Sequence, residues 1–408
     1  MSATERHVLR LSGYAPALPT PFDDAGELDL PALERLCHRQ VEEGATALVV
    51  CGTTGEASTL SRAEHESVVR AAVRASHGRI PVIAGAGSNS TSQAIELSRD
   101  AEAAGADAVL SVVPYYNKPT QAGMCAHFRA IAESIGLPII LHDVPARTVC
   151  GLADDTIARL AELPQFIGLK DATGDVARPL RLRSLVGSEF RLLSADDATA
   201  LAFFAQGGDG CISLTSNVVP GLCRALYIAW TQSEIAQAQQ IAAVAARVTA
   251  VLHRESDPAP VKYALSAMDL VLPRVRLPLV ELKRETRAEI DAVLGRACEK
   301  YPGYLIGKLA RRDQKAGQPI IHGTASLRSR PDRRKLLSPP DAAVQGGPWH
   351  SHFERICAAT KTAEGGDTQK LLLTVGGNRG SGRAFRAISD QAHAYSTPRG
   401  DRASLRRS

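Results

Sequence analysis

The chain has 408 residues, of which 44% are hydrophobic and 22% are charged, a composition typical of one large or two medium-sized folded domains. No apolar run of about 18 residues stands out and no apolar stretch follows the charged N-terminus, so we expect a cytoplasmic protein that neither crosses a membrane nor carries a secretory leader. The net charge is +5, but the excess of basic residues lies entirely in residues 307–408, which carry 19 Lys and Arg against 8 Asp and Glu. Residues 1–306 carry 29 against 35, and this acidic balance argues against nucleic-acid binding by that part of the chain.

Apolar segments alternate with amphipathic stretches through the first half of the chain, which predicts repeated strand and helix pairs. Among the helices we expect Leu30–Glu43, Arg62–Ser76 and Ser92–Ala104. A serine at position 61 with a glutamate three residues later predicts a capping box at the second of these helices. Eight strands are predicted, at Ala15–Leu18, Ala47–Val50, Val82–Ala86, Ala108–Val112, Pro138–Asp143, Ile167–Lys170, Arg191–Ser194 and Gly210–Ser213.

Eight such units with nearly continuous apolar strands predict an α/β fold, a closed parallel (β/α)8 TIM barrel, over residues 1–220. An open, doubly wound sheet is the competing architecture. Residues 221–306 are expected to form a C-terminal helical region packed on the barrel. Its predicted helices are Val219–Trp230, Ser233–Leu252, Pro260–Met268 and Arg284–Ala297.

Residues 307–408 have a different character, since hydrophobic periodicity disappears while Gly, Pro, Ser and Arg become prominent. Excess positive charge without periodicity favours a disordered basic tail. Only Lys370–Val375 resembles a strand. Contact of this tail with nucleic acid or an anionic membrane is the open alternative, but no amphipathic or aromatic-interleaved motif supports it.

Lys170 is the candidate nucleophile, because it ends the apolar run Phe166–Asp171, which a buried strand would deliver into a barrel interior. Burial penalises an ammonium ion, so such a lysine is able to be neutral near pH 7 and to attack a ketone, giving a Schiff base. The simpler interpretation is a strand-end lysine that reaches solvent beside Asp171.

Three other polar segments follow predicted strands, where the active sites of barrels lie. Gly52–Glu56 offers backbone amides and two threonine hydroxyls for a carboxylate, and Pro114–Pro119 contains two adjacent tyrosines. Leu141–Thr148 contains His142, which titrates near neutrality, and Arg147, which suits a carboxylate. Taken singly, each of these residues has an ordinary packing or surface explanation.

Together these strings resemble the dihydrodipicolinate synthase and N-acetylneuraminate lyase family of class I, Schiff-base aldolases. The motifs Gly-Thr-Thr-Gly-Glu, Pro-Tyr-Tyr-Asn-Lys-Pro, Val-Pro-Ala-Arg-Thr and Gly-Leu-Lys-Asp-Ala-Thr-Gly occur in the family's order and spacing, and the resemblance runs from about Gly13 to about Cys298. The resemblance implies a (β/α)8 barrel with a C-terminal helical region. It also implies a carbon–carbon lyase that needs no metal and no organic cofactor.

By the same resemblance, Lys170 forms the imine with pyruvate, and Thr53 and Thr54 bind the pyruvate carboxylate. Thr53 also belongs to the family's proton relay. Tyr116 matches a relay tyrosine contributed across a subunit interface, which implies a homo-oligomer, commonly a dimer of dimers. Ile212 matches a residue whose backbone lines the pyruvate pocket.

Arg147 matches the arginine that receives the carboxylate of the second substrate. In the synthase branch that substrate is L-aspartate 4-semialdehyde, and the product is 4-hydroxy-tetrahydrodipicolinate on the route to lysine. The paired Thr53 and Thr54 and the retained Arg147 favour this branch over the sialic-acid lyases.

One departure from the family pattern concerns His142, which stands where the family normally has the tyrosine that completes the relay. An imidazole also transfers protons, but its shorter reach and its reference pKa of about 6.5 change the chemistry. Two alternatives therefore stay open. One is a sister enzyme acting on another 2-oxo acid or sugar acid, and the other is a non-catalytic barrel that binds a 2-oxo acid or a partner. Substitutions around Arg62, His65 and Gln93 also predict weak or no inhibition by lysine.

Overall fold

The computed structural model describes residue 9 and residues 11–301, so the predictions for the basic tail, including Lys370–Val375, lie outside the described residues. Eight parallel strands form one sheet in the order β1-β8-β7-β6-β5-β4-β3-β2. The strands are β1 (Gly13–Pro16), β2 (Leu48–Val50), β3 (Val82–Gly85), β4 (Ala108–Val112), β5 (Ile139–Asp143), β6 (Phe166–Asp171), β7 (Arg191–Ser194) and β8 (Gly210–Ser213). Every predicted strand is present, and three of them have the predicted bounds.

The sheet closes on itself between its first two strands in the chain. A parallel bridge joins Ala17 to Val49, and the Leu18 amide donates a 2.8 Å hydrogen bond to the Val49 carbonyl. On the other side, β1 pairs with β8 from Gly13 opposite Gly210 onward. The prediction of a (β/α)8 barrel is thereby confirmed, and the alternative of an open sheet is wrong.

Helices alternate with the strands and cover the outside of the barrel. Ser61 and Glu64 form the predicted capping box, and Gly44 ends the first helix with φ of 84°, the left-handed region that glycine adopts without strain. The barrel helices are α1 (Leu30–Glu43), α2 (Arg62–Ser76), α3 (Thr91–Ala103), α4 (Gln121–Ala132), α5 (Pro145–Thr148), α6 (Asp154–Ala161), α7 (Arg178–Val186) and α8 (Ala200–Ala205).

A C-terminal helical region follows β8 and comprises α9 (Pro220–Thr231), α10 (Ile235–Leu252), α11 (Ala259–Ser266) and α12 (Arg284–Lys300). Within the described part of the chain, α10 alone has the length and mean hydropathy, 1.2, of a membrane span. It contacts α9, α11 and α12, and 44% of it is buried. A core helix of a globular protein has the same features, so this is weak evidence for a membrane.

The barrel strands bury side chains on both faces, as parallel strands must. Small and branched side chains fill the barrel interior, while larger residues pack between the strands and the helices. The interior set is Leu11, Ala15, Ala17, Ala47, Val49, Ile83, Ala108, Leu110, Ile140, Leu193 and Ile212. Because both faces of each strand are apolar, polar and apolar residues do not alternate along it. The sequence therefore does not show which residues face the barrel interior.

A β-bulge in β6 determines which way Lys170 points. The register with β5 shifts after Phe166, so that Gly168 rather than Ile167 lies opposite Ile140. Phe166 and Leu169 both belong to the outer layer, whereas Ile167 packs against the interior set. Residues three positions apart face opposite sides of a regular strand, so one extra residue must lie between Phe166 and Leu169. The extra residue inverts the alternation of the strand and places Lys170 on the interior face.

The bulge brings the backbone of β6 very close to β7. A Cβ atom at Gly168 would lie 2.6 Å from the Arg191 carbonyl oxygen and 3.0 Å from the Arg191 Cβ. Real Cβ atoms do not approach a backbone oxygen so closely, and β7 is held in register by its pairs with β6 and β8. Position 168 therefore requires glycine for its lack of a side chain.

Substitution of Gly168 by alanine is expected to destabilise the fold by about 1–3 kcal/mol, the usual cost of overpacking. Denaturant unfolding measures this change. Gly123→Ala is the control, because a Cβ there meets the Pro119 Cβ at an ordinary 3.4 Å. Equal stability of the two variants would contradict the close approach between β6 and β7.

Candidate active site

A cavity of about 510 Å³ opens at the C-terminal ends of β2 to β5. Barrel enzymes carry their catalytic residues at this end. The wall combines barrel residues with residues of the C-terminal helical region, namely Thr53, Ser88, Tyr115, His142, Arg147, Asp257, Pro278 and Leu279 among others. Three of the residues predicted from the sequence, Thr53, His142 and Arg147, thus line one cavity.

Lys170 lies beside this wall, directly across the β5–β6 pair from His142. Only 9% of the residue is exposed, and burial lowers the pKa of its amine to about 8, although the negative charge of Asp257 opposes the shift. Asp171, the partner expected for a surface lysine, bonds to Arg178 instead. The explanation of Lys170 as a lysine reaching solvent beside Asp171 is therefore wrong.

A second buried lysine shows what distinguishes Lys170. Burial also lowers the pKa of Lys262 to about 8, but its Nζ donates to Glu56 Oε1 at 2.5 Å and to the Arg274 carbonyl at 2.7 Å. Its ammonium also lies 4.0 Å from the centre of the Phe22 ring. Lys170 has no ion pair with any described residue. Of the two amines, Lys170 is the one whose nitrogen is available for a bond to a ligand.

His142 is buried, and burial together with the positive charges of Lys170 and Arg147 holds the pKa of its imidazole well below the usual value. The ring is therefore neutral at physiological pH. A neutral imidazole has one donor nitrogen and one acceptor nitrogen, so it both gives and takes protons. His142 is positioned on the cavity wall, next to Lys170, to act as a proton carrier.

A buried guanidinium holds the ends of β5 and β6 together on their outer face. Arg178, on α7, donates to Asp143 at 2.8 Å and to Asp171 at 3.4 Å. It also donates to Asp154 at 2.9 Å and to the Leu152 carbonyl at 2.5 Å. The two carboxylates directly follow His142 and Lys170 in their strands, so this cluster fixes the backbone that carries both side chains.

The loop after β2 presents its two threonines differently. Thr53 is exposed to the cavity, whereas Thr54 is buried and its hydroxyl donates to Asp257 Oδ2 at 2.9 Å. Thr20 fixes the same loop by donating to the Gly55 carbonyl at 2.7 Å. Thr53 thus lines the cavity on a loop that Thr20, near the N-terminus, and Asp257, in the C-terminal helical region, hold in place.

Arg147 lies on the short helix α5 and also lines the cavity. Its side chain is exposed and makes no ion pair with any residue in the described part of the chain. An unpaired guanidinium on a cavity wall is suited to a carboxylate that enters from solvent. The geometry is that expected of a binding group for an anionic substrate.

Four predicted residues are not part of this wall: Lys170 and Thr54, described above, and Tyr116 and Ile212. Tyr116 is 87% exposed, with φ of 73°, and it is not among the residues that line the cavity of its own chain. Ile212 is 2% exposed and packs in the barrel interior with residues such as Ala15 and Leu193. Both assignments stay predictions.

Sequence reasoning missed Asp257 and Arg178. Asp257 comes from the segment between α10 and α11, far from the motifs after the strands, and Arg178 opens an otherwise ordinary surface helix. The only sequence signal for either is a charged residue next to proline, which is common in turns and helix starts.

Comparison with known proteins agrees with this geometry. The family model described as "Dihydrodipicolinate synthetase family" matches residues 10–297. The chain belongs to this family. The barrel, the loop motifs and the lysine on the sixth strand are thus parts of a dihydrodipicolinate synthetase-family enzyme, and the prediction of an enzyme is confirmed.

Curated relatives in the family are similar over nearly their whole length. The 4-hydroxy-tetrahydrodipicolinate synthase of Roseobacter denitrificans is 50% identical over 285 residues, which is 70% of this chain and 98% of the relative. The synthase of Cereibacter sphaeroides is 49% identical over 287 residues, 70% of this chain and 99% of the relative.

A solved structure agrees as well. The chloride-inhibited dihydrodipicolinate synthase from Acinetobacter baumannii, complexed with pyruvate, aligns with a TM-score of 0.68 and 43% identity. The alignment covers 70% of this chain and 98% of that chain.

Replacement of Arg178 by methionine leaves two buried carboxylates without their cation, and we expect it to lower the free energy of unfolding by about 3–5 kcal/mol. Denaturant titration of the wild type and of the Arg178→Met variant measures this difference in the free energy of unfolding. Arg181→Met on the same helix is the control, because Arg181 bonds to Asp154 and Asp175 at the surface. The role of Arg178 would be refuted by equal stability of the two variants.

Proposed function

We propose that this protein is a 4-hydroxy-tetrahydrodipicolinate synthase that condenses pyruvate, held as a Schiff base on Lys170, with L-aspartate 4-semialdehyde in lysine biosynthesis. The single observation that carries the proposal is the buried, unpaired amine of Lys170 beside a neutral His142. Relatives that are about half identical over nearly their whole length carry this name, which supports the same assignment.

Imine formation follows from the state of the two groups. The neutral Nζ of Lys170 attacks the keto carbon of pyruvate, a C–N bond forms, and the keto oxygen leaves as water after gaining two protons. The resulting iminium withdraws electrons from the methyl carbon, which then loses a proton and attacks the aldehyde of the second substrate. The pyruvate-bound structure of the Acinetobacter relative supports pyruvate as the first substrate.

The cavity residues Thr53 and Arg147 suggest how the two substrates are placed. The exposed Thr53 and the buried Thr54 are proposed to hold the pyruvate carboxylate through the loop after β2. Arg147 is unpaired and reaches solvent, so we assign it to the carboxylate of the semialdehyde. Ile212 is assigned to the pyruvate pocket through its backbone.

His142 is assigned to the proton transfers, together with Thr53 and with Tyr116 from a second subunit. A tyrosine that is 87% exposed in one chain is suited to a contact between subunits, which supports a homo-oligomer. A dimer of dimers and a cytoplasmic location complete the proposal. No metal and no organic cofactor is required by these steps.

A sister activity on another 2-oxo acid or on a sugar acid is the second candidate, because His142 alters the reach and charge of the relay. A barrel that binds a 2-oxo acid without turnover is the third. Thr53 and Arg147 in one cavity, with Lys170 opposite the cavity residue His142, favour catalysis over binding alone.

Reduction with borohydride in the presence of pyruvate is expected to add the mass of a reduced pyruvate adduct to Lys170. The rate should fall as the pH drops below about 8, because the amine is then protonated. Peptide mass spectrometry locates the adduct. Lys262 is the internal control, since its amine is already paired, and an adduct there instead would refute the proposal.

Turnover with L-aspartate 4-semialdehyde, coupled to reduction of the product, separates the synthase from its alternatives. We expect steady turnover that requires both substrates. Trapping by pyruvate without this turnover would instead indicate a sister aldolase or a non-catalytic barrel.

Replacement of His142 by phenylalanine is expected to lower turnover by about 10²–10⁴-fold, the usual contribution of a general acid–base group. Trapping of pyruvate on Lys170 should persist, because the amine is retained. His142→Tyr restores a phenolic proton carrier and should recover most of the activity. Unchanged turnover in His142→Phe would exclude His142 from the relay.

A further inference from the structure

The loop between β4 and α4 holds two adjacent tyrosines in different environments. Tyr115 lines the cavity, whereas Tyr116 is 87% exposed and is not part of that wall. The chain changes direction at Tyr116 itself, because the amide of Asn117 donates to the Tyr115 carbonyl at 2.8 Å and closes a three-residue turn around it. The turn thus leaves one tyrosine at the cavity of its own chain and the other on the surface.

This turn is strained, and the strain falls on a bulky residue. Tyr116 has φ of 73°, close to the value of about 75° of the classic γ-turn, which is a rare and strained conformation. Positive φ is uncommon for residues other than glycine and is an outlier for a bulky side chain. Lys118, two residues later, also has a positive φ of 46°. A backbone of this kind persists only where its surroundings hold it.

Asn117 supplies a contact that holds the turn. Its side-chain amide nitrogen donates to the Asn89 carbonyl at 2.9 Å. Within the described part of the chain, this is the one hydrogen bond made by a side chain between positions 115 and 119. The residue that closes the γ-turn with its backbone amide is therefore the same residue that ties the loop to its neighbour with its side chain.

The acceptor of this bond belongs to a loop that is itself fixed. Asn89 lies between β3 and α3, next to the buried Ser88. The Ser88 hydroxyl donates to Gln93 Oε1 at 2.7 Å and accepts the Ser90 amide at 3.2 Å. Ser90 in turn caps α3, where its side chain accepts the Gln93 amide. Asn89 thus presents its carbonyl from a segment bound to the first turn of α3.

We propose that Asn117 is a positioning residue, which holds Tyr116 in the strained turn and thereby fixes the direction in which its phenol reaches a second subunit. This inference rests on the proposed function, in which Tyr116 takes part in the proton transfers of a neighbouring subunit. Asn117 touches no reacting atom. Without its bond to Asn89, the turn is free to relax to negative φ, and a change of that size gives the Tyr116 side chain another direction.

Replacement of Asn117 by alanine is expected to lower kcat roughly tenfold, because one neutral hydrogen bond no longer offsets the strain of the turn. Trapping of pyruvate on Lys170 should persist, since the amine is retained. Arg99→Ala is the control. Arg99 is also an exposed donor to a backbone carbonyl, that of Ser134 at 3.4 Å, but this bond joins the C-terminal ends of α3 and α4. Its loss should leave kcat at the wild-type value.

Tyr116→Phe provides a readout that a merely structural role of Asn117 would not move. Loss of the phenol hydroxyl should lower kcat by about 10²-fold or more, as expected for a group that transfers protons. Addition of Asn117→Ala to this variant should then cause no further loss, because residues that act as a unit are not additive. Turnover of pyruvate with L-aspartate 4-semialdehyde is measured for the four proteins at concentrations where light scattering gives them equal mass.

The outcomes separate this inference from the proposed function. Equal losses from Asn117→Ala in both backgrounds would show that Asn117 acts other than through Tyr116 and would overturn the inference, as would wild-type kcat in Asn117→Ala. A loss in Tyr116→Phe upholds the proposed relay in either case. Unchanged kcat in Tyr116→Phe refutes both. Should Asn117→Ala fail to fold, Asn117→Asp, which keeps the size but lacks the donor, is measured in the same way and against the same criteria.

Discussion

The site depends on a buried amine of lowered pKa that lies across one strand pair from a neutral imidazole. Two features provide this constraint. The bulge at Ile167 turns Lys170 to the interior, and the buried Arg178 binds the carboxylates that follow His142 and Lys170. Because Arg178 binds Asp143 and Asp171 on the outer face, neither carboxylate forms an ion pair with the amine of Lys170. The ion pairs of Arg178 that stabilise the fold thus lie on one face of β5 and β6, and Lys170 lies on the other face.

Burial alone does not make a reactive lysine. Lys170 and Lys262 both have a pKa of about 8, yet Lys262 is enclosed by a carboxylate, a carbonyl and an aromatic ring. Desolvation lowers the basicity of both amines, whereas the neighbours decide whether the nitrogen lone pair is accessible. A depressed pKa therefore marks a candidate nucleophile only where the surroundings also leave the nitrogen unbonded.

The sequence contained most of the architecture, because strands and helices have distinct hydrophobic periods and the barrel repeats them eight times. It also located Thr53, His142 and Arg147, since each lies at or just after the C-terminal end of a strand that borders the cavity. The bulge was not predictable, because β6 is buried on both faces and shows no alternation to interrupt. Asp257 was not predictable either, since its meeting with Thr54 spans 203 residues and depends on how the helical region packs.

The buried pair of Lys262 and Glu56 has a consequence for how the molecule assembles. Glu56 belongs to the threonine loop, and Lys262 belongs to α11, so a residue of the C-terminal helices holds the loop in its folded shape. This buried ion pair thus joins the two parts of the chain on either side of residue 220, the predicted end of the barrel region. A barrel cut at residue 220 would lack Lys262, which pairs with Glu56 of the threonine loop. The barrel is therefore poorly suited to being moved into another protein without its C-terminal helices.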